Sequence, residues 1–168
     1  MLSLCLFEPE IPQNTGNIAR TCAVTGTRLI LVRPLGFDIS DKAVRHAGLD
    51  YWNEVDLQVY DSIKDFFLAH GNDELYFFST KGRKLFSEVR YPSDSDVYLV
   101  FGKESRGIDE EILMQNPERV VRIPMRPTSR SLNLSNSAAI AAYEYYRQAG
   151  YPGMSREGQL HNHRWEDL

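Results

Sequence analysis

Short runs of apolar residues, each bounded by turn-forming residues, constrain the fold of this chain more than any other feature. Strands without polar alternation are buried on both faces, as in parallel sheets that are covered by helices. The predicted strands are Leu2–Phe7, Arg28–Val32, 75–78, Val97–Phe101 and 120–123, with Leu57–Tyr60 as a weaker sixth, and the helical patterns between and after them are 15–25, 41–47, 62–69, 109–114 and 133–149. The sequence therefore predicts an α/β fold with a mostly parallel sheet flanked by helices.

The length of 168 residues fits one domain that buries a full core without disulfides or a structural metal. We expect residues 1–154 to form this domain and the polar tail 155–168 to be mobile or to dock on a partner subunit. Cys5 and Cys22 lie in apolar settings without metal-ligand spacing, which favours small buried hydrophobic residues. His161 and His163 have no further ligand at useful spacing, so no metal site is predicted.

The N-terminal residues MLSLCLFEPE turn acidic after a few apolar positions and lack the basic start of a signal peptide. No apolar run approaches the roughly 20 residues of a membrane span, so we expect a cytoplasmic protein. The net charge of −4 does not favour nucleic acid, but the positive charge is clustered. Residues 119–130 contain four arginines and no acid, and residues 81–84 form a second basic cluster. Basic patches of this kind can contact the phosphates of a nucleic acid.

Three polar segments follow predicted strands, and ligands of parallel α/β sheets bind at the carboxyl ends of strands. The segments are PEIPQNTGNIAR at 9–20, GKESRG at 102–107 and PMRPTSRSLNLSN at 124–136. In the third segment, hydroxyl and amide side chains cluster where a helix begins, a place where free N–H groups favour a polar or anionic ligand. The apolar stretch 138–143 behind it predicts a helix that is enclosed on most sides. These segments form the candidate site.

Common catalytic and nucleotide-binding signatures are absent from the sequence. There is no GxGxxG, no complete phosphate loop at Gly102, and no GxSxG elbow, which argues against dinucleotide, ATPase and hydrolase chemistry. The remaining candidate in this region is a short loop in which Gly102 and Gly107 flank one acidic residue, Glu104. Glycines at this position let backbone approach a flat ligand closely.

The three segments resemble, in order, the three motifs of the SPOUT superfamily of RNA methyltransferases. The matching patterns are PxxPxNxGNIxR at 9–20, FGxExxG at 101–107 and IPMxxxSRSLNLSxxxAxxxYE at 123–144. More narrowly, EPEIPxNTGNIxR at 8–20, PLGFD at 34–38 and KxxRxAGLDY at 42–51 resemble the bacterial tRNA (cytidine/uridine-34)-2'-O-methyltransferase group. The resemblance covers about residues 1–153.

This resemblance implies a deep trefoil knot near the C-terminus and a homodimer that binds S-adenosylmethionine in bent form on the knotted loops. It implies 2'-O-methylation of the wobble nucleotide, cytidine or uridine 34, in the anticodon stem-loop of tRNA, with leucine isoacceptors as substrates. Apolar walls and backbone hydrogen bonds at the strand ends would suit adenine. The implied cofactor-binding residues are Phe78, Thr80, Gly102, Glu104, Gly107, Ile123, Met125, Ser131 and Leu132.

Arg20 resembles the catalytic arginine of the family, with Asn14, Glu104, Ser131 and Asn133 as supporting positions. A guanidinium with a pKa above about 12 is a poor base, which favours an Arg20 that orients phosphate and stabilises the developing alkoxide. Three roles stay open for Glu104: a clamp on Arg20, a cofactor contact, or a favourable charge at a helix N-terminus.

Two other functions are compatible with the sequence. One is 2'-O-methylation of ribosomal RNA, although such relatives usually carry an extra N-terminal RNA-binding domain that we expect this chain to lack. The other is an RNA-binding or dimerisation module that has lost catalysis. Intact Arg20, Glu104, Ser131 and Asn133 argue against the second alternative.

Overall fold

The computed structural model describes residues 1–39 and 52–165. The strands are β1 (Leu2–Phe7), β2 (Arg28–Val32), β3 (Leu57–Tyr60), β4 (Glu74–Phe78), β5 (Lys84–Leu85), β6 (Val97–Phe101) and β7 (Val120–Arg122). The α-helices are α1 (Pro12–Thr25), α2 (Ile63–His70), α3 (Glu110–Gln115) and α4 (Leu134–Ala149), and two short 3-10 helices lie at Trp52–Glu54 and Pro117–Arg119. All six predicted strands are present, and the predicted helix at 41–47 lies outside the described residues.

The strands form one seven-stranded sheet in the order β3-β2-β1-β6-β4-β7-β5. Every neighbouring pair is parallel, and Leu4 of β1 lies opposite Leu29 of β2 and Leu99 of β6. The prediction of a mostly parallel α/β sheet is confirmed. Because all strands run the same way, their carboxyl ends share one edge, where the polar segments meet.

Side chains of β1 alternate between two apolar cores on opposite faces of the sheet. Leu4 and Leu6 pack with residues of α1 and α4, while Cys5 and Phe7 pack with residues of α2 and α3. The prediction that both cysteines are buried is confirmed, and burial raises the pKa of the Cys5 and Cys22 thiols. Each fully buried leucine contributes about 1.5–3 kcal/mol, so the two cores fix the position of β1 in the sheet.

Helix α1 begins at Pro12, three residues before the start that the sequence pattern predicted. Proline is favourable in this first position, because its missing N–H needs no partner there and its φ angle is already helical. The helix ends at Gly26, which adopts a left-handed φ of 70°. As a result, Asn14 lies inside the first turn of α1 instead of in the loop before it.

Helix α4 is covered on one face in the described chain, and not on most sides as predicted. Ala138, Ala141 and Ala142 are fully buried against the sheet, where their small side chains allow close approach. Ile140 and Tyr143 on the outer face are 40% and 47% exposed.

No helix in residues 1–39 and 52–165 is long and apolar enough to cross a membrane. The tail residues 155–165 are exposed and contain no α-helix or strand.

Candidate functional site

A cleft of about 560 Å³ lies at the carboxyl edge of the sheet, where β1, β4, β6 and β7 end. This volume is within the range of about 300–1,000 Å³ that small-molecule sites occupy. All three polar segments contribute to its walls. The predicted cofactor residues Phe78, Thr80, Gly102, Glu104, Gly107, Ile123, Met125, Ser131 and Leu132 all line this cleft.

The predicted catalytic residues divide into two sets. Asn14, Glu104, Ser131 and Asn133 line the cleft. Arg20 is not among the lining residues and lies exposed, six positions further along α1 than Asn14. Residues outside the predicted catalytic and cofactor-binding sets also line the cleft. Most are direct neighbours of motif positions, and Lys81 and Arg130 belong to the two predicted basic clusters: Ile11, Ser79, Lys81, Phe101, Lys103, Ser105, Arg106, Arg130, Leu134 and Ser137.

The loop 102–107 requires glycine at both ends. A Cβ atom on Gly102 would lie 2.1 Å from the carbonyl carbon of Gly107, a distance that real contacts do not reach. Gly107 has a left-handed φ of 72°, which L-residues with side chains rarely adopt. Its N–H donates a hydrogen bond to the Lys103 carbonyl at 2.8 Å, which closes the loop. Backbone therefore forms this wall of the cleft.

Glu104 lies at the N-terminus of α1. Its carboxylate accepts hydrogen bonds from the backbone N–H of Glu10 at 2.8 Å and of Ile11 at 3.2 Å. Ile11 is the N-cap residue and has no side-chain cap of its own, so Glu104 satisfies N–H groups that the helix leaves open. A negative charge at a helix N-terminus is favourable by about 0.3–1 kcal/mol. Of the three open roles, these contacts favour the helix N-terminus.

One chain of hydrogen bonds connects all three motif segments. The amide nitrogen of Asn14 donates to Glu104 at 3.0 Å, and the amide nitrogen of Asn133 donates to the amide oxygen of Asn14 at 3.0 Å. The amide oxygen of Asn133 then caps α4 by accepting from the N–H groups of Ser135 and Asn136 at 2.9 and 3.2 Å. We call this chain the Glu104–Asn14–Asn133 relay.

The two ends of the relay fix the orientation of both amides. The Glu104 oxygens already accept from two backbone N–H groups, so Asn14 presents its NH₂ group to Glu104 and its oxygen to Asn133. The helix N–H groups only donate, so Asn133 must present its oxygen to α4. Both asparagine side chains are therefore preorganised at the cleft before any ligand arrives.

The floor of the cleft is apolar and aromatic. Phe78 and Phe101, at the ends of β4 and β6, stack with ring centroids 4.8 Å apart and an interplanar angle of 21°. Ile123 and Met125 are half-buried beside them, and Leu132 is 38% exposed. A flat aromatic group fits against such side chains, while the loop backbone offers hydrogen bonds. These features fit the adenosine part of S-adenosylmethionine.

The arginine cluster at 119–130 serves two purposes. Arg119 binds the Glu74 carboxylate with two nitrogens, at 2.6 and 3.1 Å, and lies 5.5 Å from the centroid of the Tyr76 ring. This pair lowers the pKa of Glu74 and ties the start of β7 to β4. Arg126 and Arg130 are exposed, and Arg130 lines the cleft. Within this cluster, the positive charge available to a ligand in the cleft therefore comes from Arg130.

The structure brings the three motif segments together around one glycine-bordered cleft at the carboxyl edge of a parallel sheet, and these are the segments that resemble the motifs of the SPOUT methyltransferases. The chain belongs to the SpoU rRNA Methylase family, whose family model matches residues 1–143. An Escherichia coli (strain K12) protein named tRNA (cytidine(34)-2'-O)-methyltransferase is 47% identical over 154 residues, which cover 91% of this chain and 97% of that protein. This chain is also similar to solved structures.

One solved structure, described as concerning 2-OH methylation of C/U34 on tRNA, has a TM-score of 0.84 and 46% identity. The match covers 89% of this chain and 97% of that one. A second, an AdoMet-bound rRNA methyltransferase from Sinorhizobium meliloti, has a TM-score of 0.76 and 25% identity. It covers 87% of this chain and 56% of that one. The α/β fold is thus shared with methyltransferase structures.

Proposed function

We propose that this chain transfers a methyl group from S-adenosylmethionine to the ribose 2'-hydroxyl of nucleotide 34, cytidine or uridine, in tRNA. The observation that carries the proposal is the Glu104–Asn14–Asn133 relay, which binds the three motif segments around one cleft of cofactor size. The two relatives whose descriptions refer to position 34 of tRNA support the choice of substrate. We also propose a cytoplasmic reaction, as a tRNA substrate in bacterial relatives suggests.

The cofactor would lie against backbone and apolar side chains at the strand ends. When bound, S-adenosylmethionine supplies a methyl group that its sulfonium activates for transfer. Phe78, Ile123, Met125 and Leu132 would contact its apolar surfaces. Gly102, Gly107, Thr80, Glu104 and Ser131 would offer backbone or polar contacts from the cleft walls. The loop glycines matter most, because side chains at their positions would fill the space or strain the loop.

Five polar residues would orient the attacking ribose and stabilise the charge that develops on its oxygen, namely Arg20, Asn14, Glu104, Ser131 and Asn133. The 2'-hydroxyl oxygen must be oriented in line with the carbon–sulfur bond that breaks as the new carbon–oxygen bond forms. S-adenosylhomocysteine would then leave, and the hydroxyl proton would pass to solvent. Arg20 would orient a substrate phosphate and stabilise negative charge on the attacking oxygen. Asn14 and Asn133, fixed by the relay, would hold the ribose, and Ser131 would stand at the cleft mouth. Glu104 would act through the start of α1.

The RNA would approach over the basic end of the third segment. Arg126 and Arg130 are exposed next to the cleft, and arginine side chains bind phosphate well because their nitrogens form a planar fork. We propose the anticodon stem-loop as the bound region and leucine isoacceptors as the substrates. Arg119 is engaged with Glu74 and would not take part.

A homodimer is the proposed assembly. Val24 on α1 and Ile140 and Tyr143 on α4 are 55%, 40% and 47% exposed, on two helices that pack together. An exposed apolar surface of this kind supports the proposal that a second copy of the chain packs against these helices. We also propose that residues 1–154 form one domain with a trefoil knot near its C-terminus. The three motif segments, which resemble those of a knotted superfamily, support the knot.

Calorimetric titration with S-adenosylmethionine distinguishes this enzyme from a non-catalytic RNA-binding module. We expect saturable heat and a higher melting temperature, because a ligand that binds only the folded state stabilises it by about 2.7 kcal/mol at a concentration of 100 Kd. S-adenosylhomocysteine should compete for the same site. A protein that shows neither heat nor thermal stabilisation with either compound would leave only the binding module.

A further inference from the structure

Two loops at the cleft are bound to each other by a side chain that the proposed reaction does not use. Glu10 lies in the loop after β1, and Ser105 lies in the loop after β6. The Glu10 carboxylate accepts hydrogen bonds from both the N–H and the hydroxyl of Ser105, each at 2.9 Å. The N–H of Glu10 donates in the opposite direction, to Glu104. We call the first pair of contacts the Glu10–Ser105 clasp.

The loop that carries Glu10 is itself held firmly. Glu8 has a φ of 52°, which a residue with a side chain keeps only when its surroundings fix it. Its carboxylate pairs with the Lys103 ammonium, and both side chains are 24% exposed. On the other side, a Cβ atom on Gly36 would lie 2.6 Å from the Glu10 carbonyl oxygen. The N–H of Gly36 also donates to the Pro9 carbonyl at 2.9 Å.

The loop after β6 depends on this support. Lys103, Ser105 and Arg106 all line the cleft, so the position of their backbone sets the width of the cleft. At the middle of the loop, the backbone N–H of Ser105 has its hydrogen bond with Glu10 and not within the loop. Glu10 is therefore placed to fix the position of the loop backbone that forms this wall of the cleft.

We propose that Glu10 is a positioning residue that holds the Ser105 wall of the cleft in its cofactor-binding geometry. The inference rests on the proposed function, since the ligand in question is S-adenosylmethionine. Two hydrogen bonds from Ser105 lower the pKa of Glu10 below its ordinary value. The larger contribution comes from the Ser105 N–H and the smaller from the Ser105 hydroxyl. The carboxylate is ionised at neutral pH, and the clasp would be lost only as the pH falls through that lowered pKa.

A double-mutant cycle tests the clasp. Glu10→Gln is expected to raise the Kd and the KM for S-adenosylmethionine by about three- to tenfold, because the ligand must then order the loop. Ser105→Ala is expected to raise both constants by a smaller factor. The kcat at saturating cofactor should stay within about twofold, because the relay keeps its own hydrogen bonds. The double variant should bind no worse than Glu10→Gln alone, and Ser105→Thr should bind like the wild type.

The matched control is Glu111→Gln, which changes an exposed glutamate on α3 and should leave all constants unchanged. The clasp would be overturned if the effects of Glu10→Gln and Ser105→Ala on the Kd added independently in the double variant. It would also be overturned if the variants had a lower melting temperature but unchanged Kd and KM. If Glu10→Gln does not fold, Ser105→Ala and Ser105→Thr still decide between these outcomes. A wild-type protein that does not bind S-adenosylmethionine would overturn the proposed function as well, whereas unaffected variants of a binding wild type would overturn the clasp alone.

Discussion

Gly102→Ala is expected to weaken cofactor binding severely. The new Cβ atom would lie 2.1–2.3 Å from the backbone of Gly107 and Ile108, and neither is the end of a flexible side chain. The loop 102–107 must therefore move away from β6, which costs about 1–3 kcal/mol of stability for an overpacked site. Because this loop forms a wall of the cleft, we expect the Kd for S-adenosylmethionine to rise by at least about 100-fold, or roughly 2.7 kcal/mol. Calorimetry measures this directly.

Gly158→Ala is the matched control, because a Cβ atom there would meet nothing within 4 Å and the residue is exposed in the tail. It should bind S-adenosylmethionine like the wild type. A Gly102→Ala variant that folds and keeps wild-type affinity would show that the loop backbone does not contact the cofactor.

Asn14→Ala is expected to give the second large effect, on turnover. The substitution removes the middle of the relay, so Glu104 and Asn133 each lose a hydrogen-bond partner. A displacement of reacting groups by about 1 Å can lower a rate about 100-fold, and we expect a decrease of this size in kcat. The Kd for S-adenosylmethionine should change much less, because apolar contacts and loop backbone would provide most of its binding. Single-turnover kinetics with saturating cofactor and tRNA measures the rate.

Gln13→Ala controls for the loss of a polar side chain at the same turn of α1, because Gln13 is exposed and its side chain has no role in the relay. Its kcat should equal that of the wild type. Equal kcat values for Asn14→Ala and Gln13→Ala would remove the relay from the mechanism.

The sheet could be predicted from the sequence because its signal is local. Leu2–Phe7 and Val97–Phe101 carry no polar side chain except Ser3 and the Tyr98 hydroxyl, and only strands covered on both faces tolerate that pattern. The two-residue strand Lys84–Leu85 could not be predicted, because it carries no periodicity and exists through its pairing with β7. The strand order likewise depends on contacts distant in sequence. The sequence pattern starts α1 three residues late, because proline disrupts helix interiors and the pattern therefore assigns Pro12 to the preceding loop instead of to the first helical turn.

The site residues were predicted from the motif pattern, but their partners were not. The resemblance indicated Glu104, whereas its position at the N-terminus of α1 emerges only when β1 and β6 lie side by side. Likewise, Arg119 reads as part of a basic cluster, yet its partner Glu74 is 45 positions away. A charge pattern shows which groups are present and not which of them neutralise each other. The apolar stretch 138–143 predicts an enclosed helix α4, whereas Ile140 is 40% exposed in the single chain.

Mass spectrometric mapping of the methylated nucleotide tests the central claim most directly. Unmodified leucine tRNA is incubated with the purified protein and S-adenosylmethionine, and nuclease fragments are then sequenced by mass. The account predicts one added methyl group, on the ribose of nucleotide 34, with transfer severely reduced in Gly102→Ala. A methyl group on a base, at another nucleotide, or only on ribosomal RNA offered in parallel would contradict it.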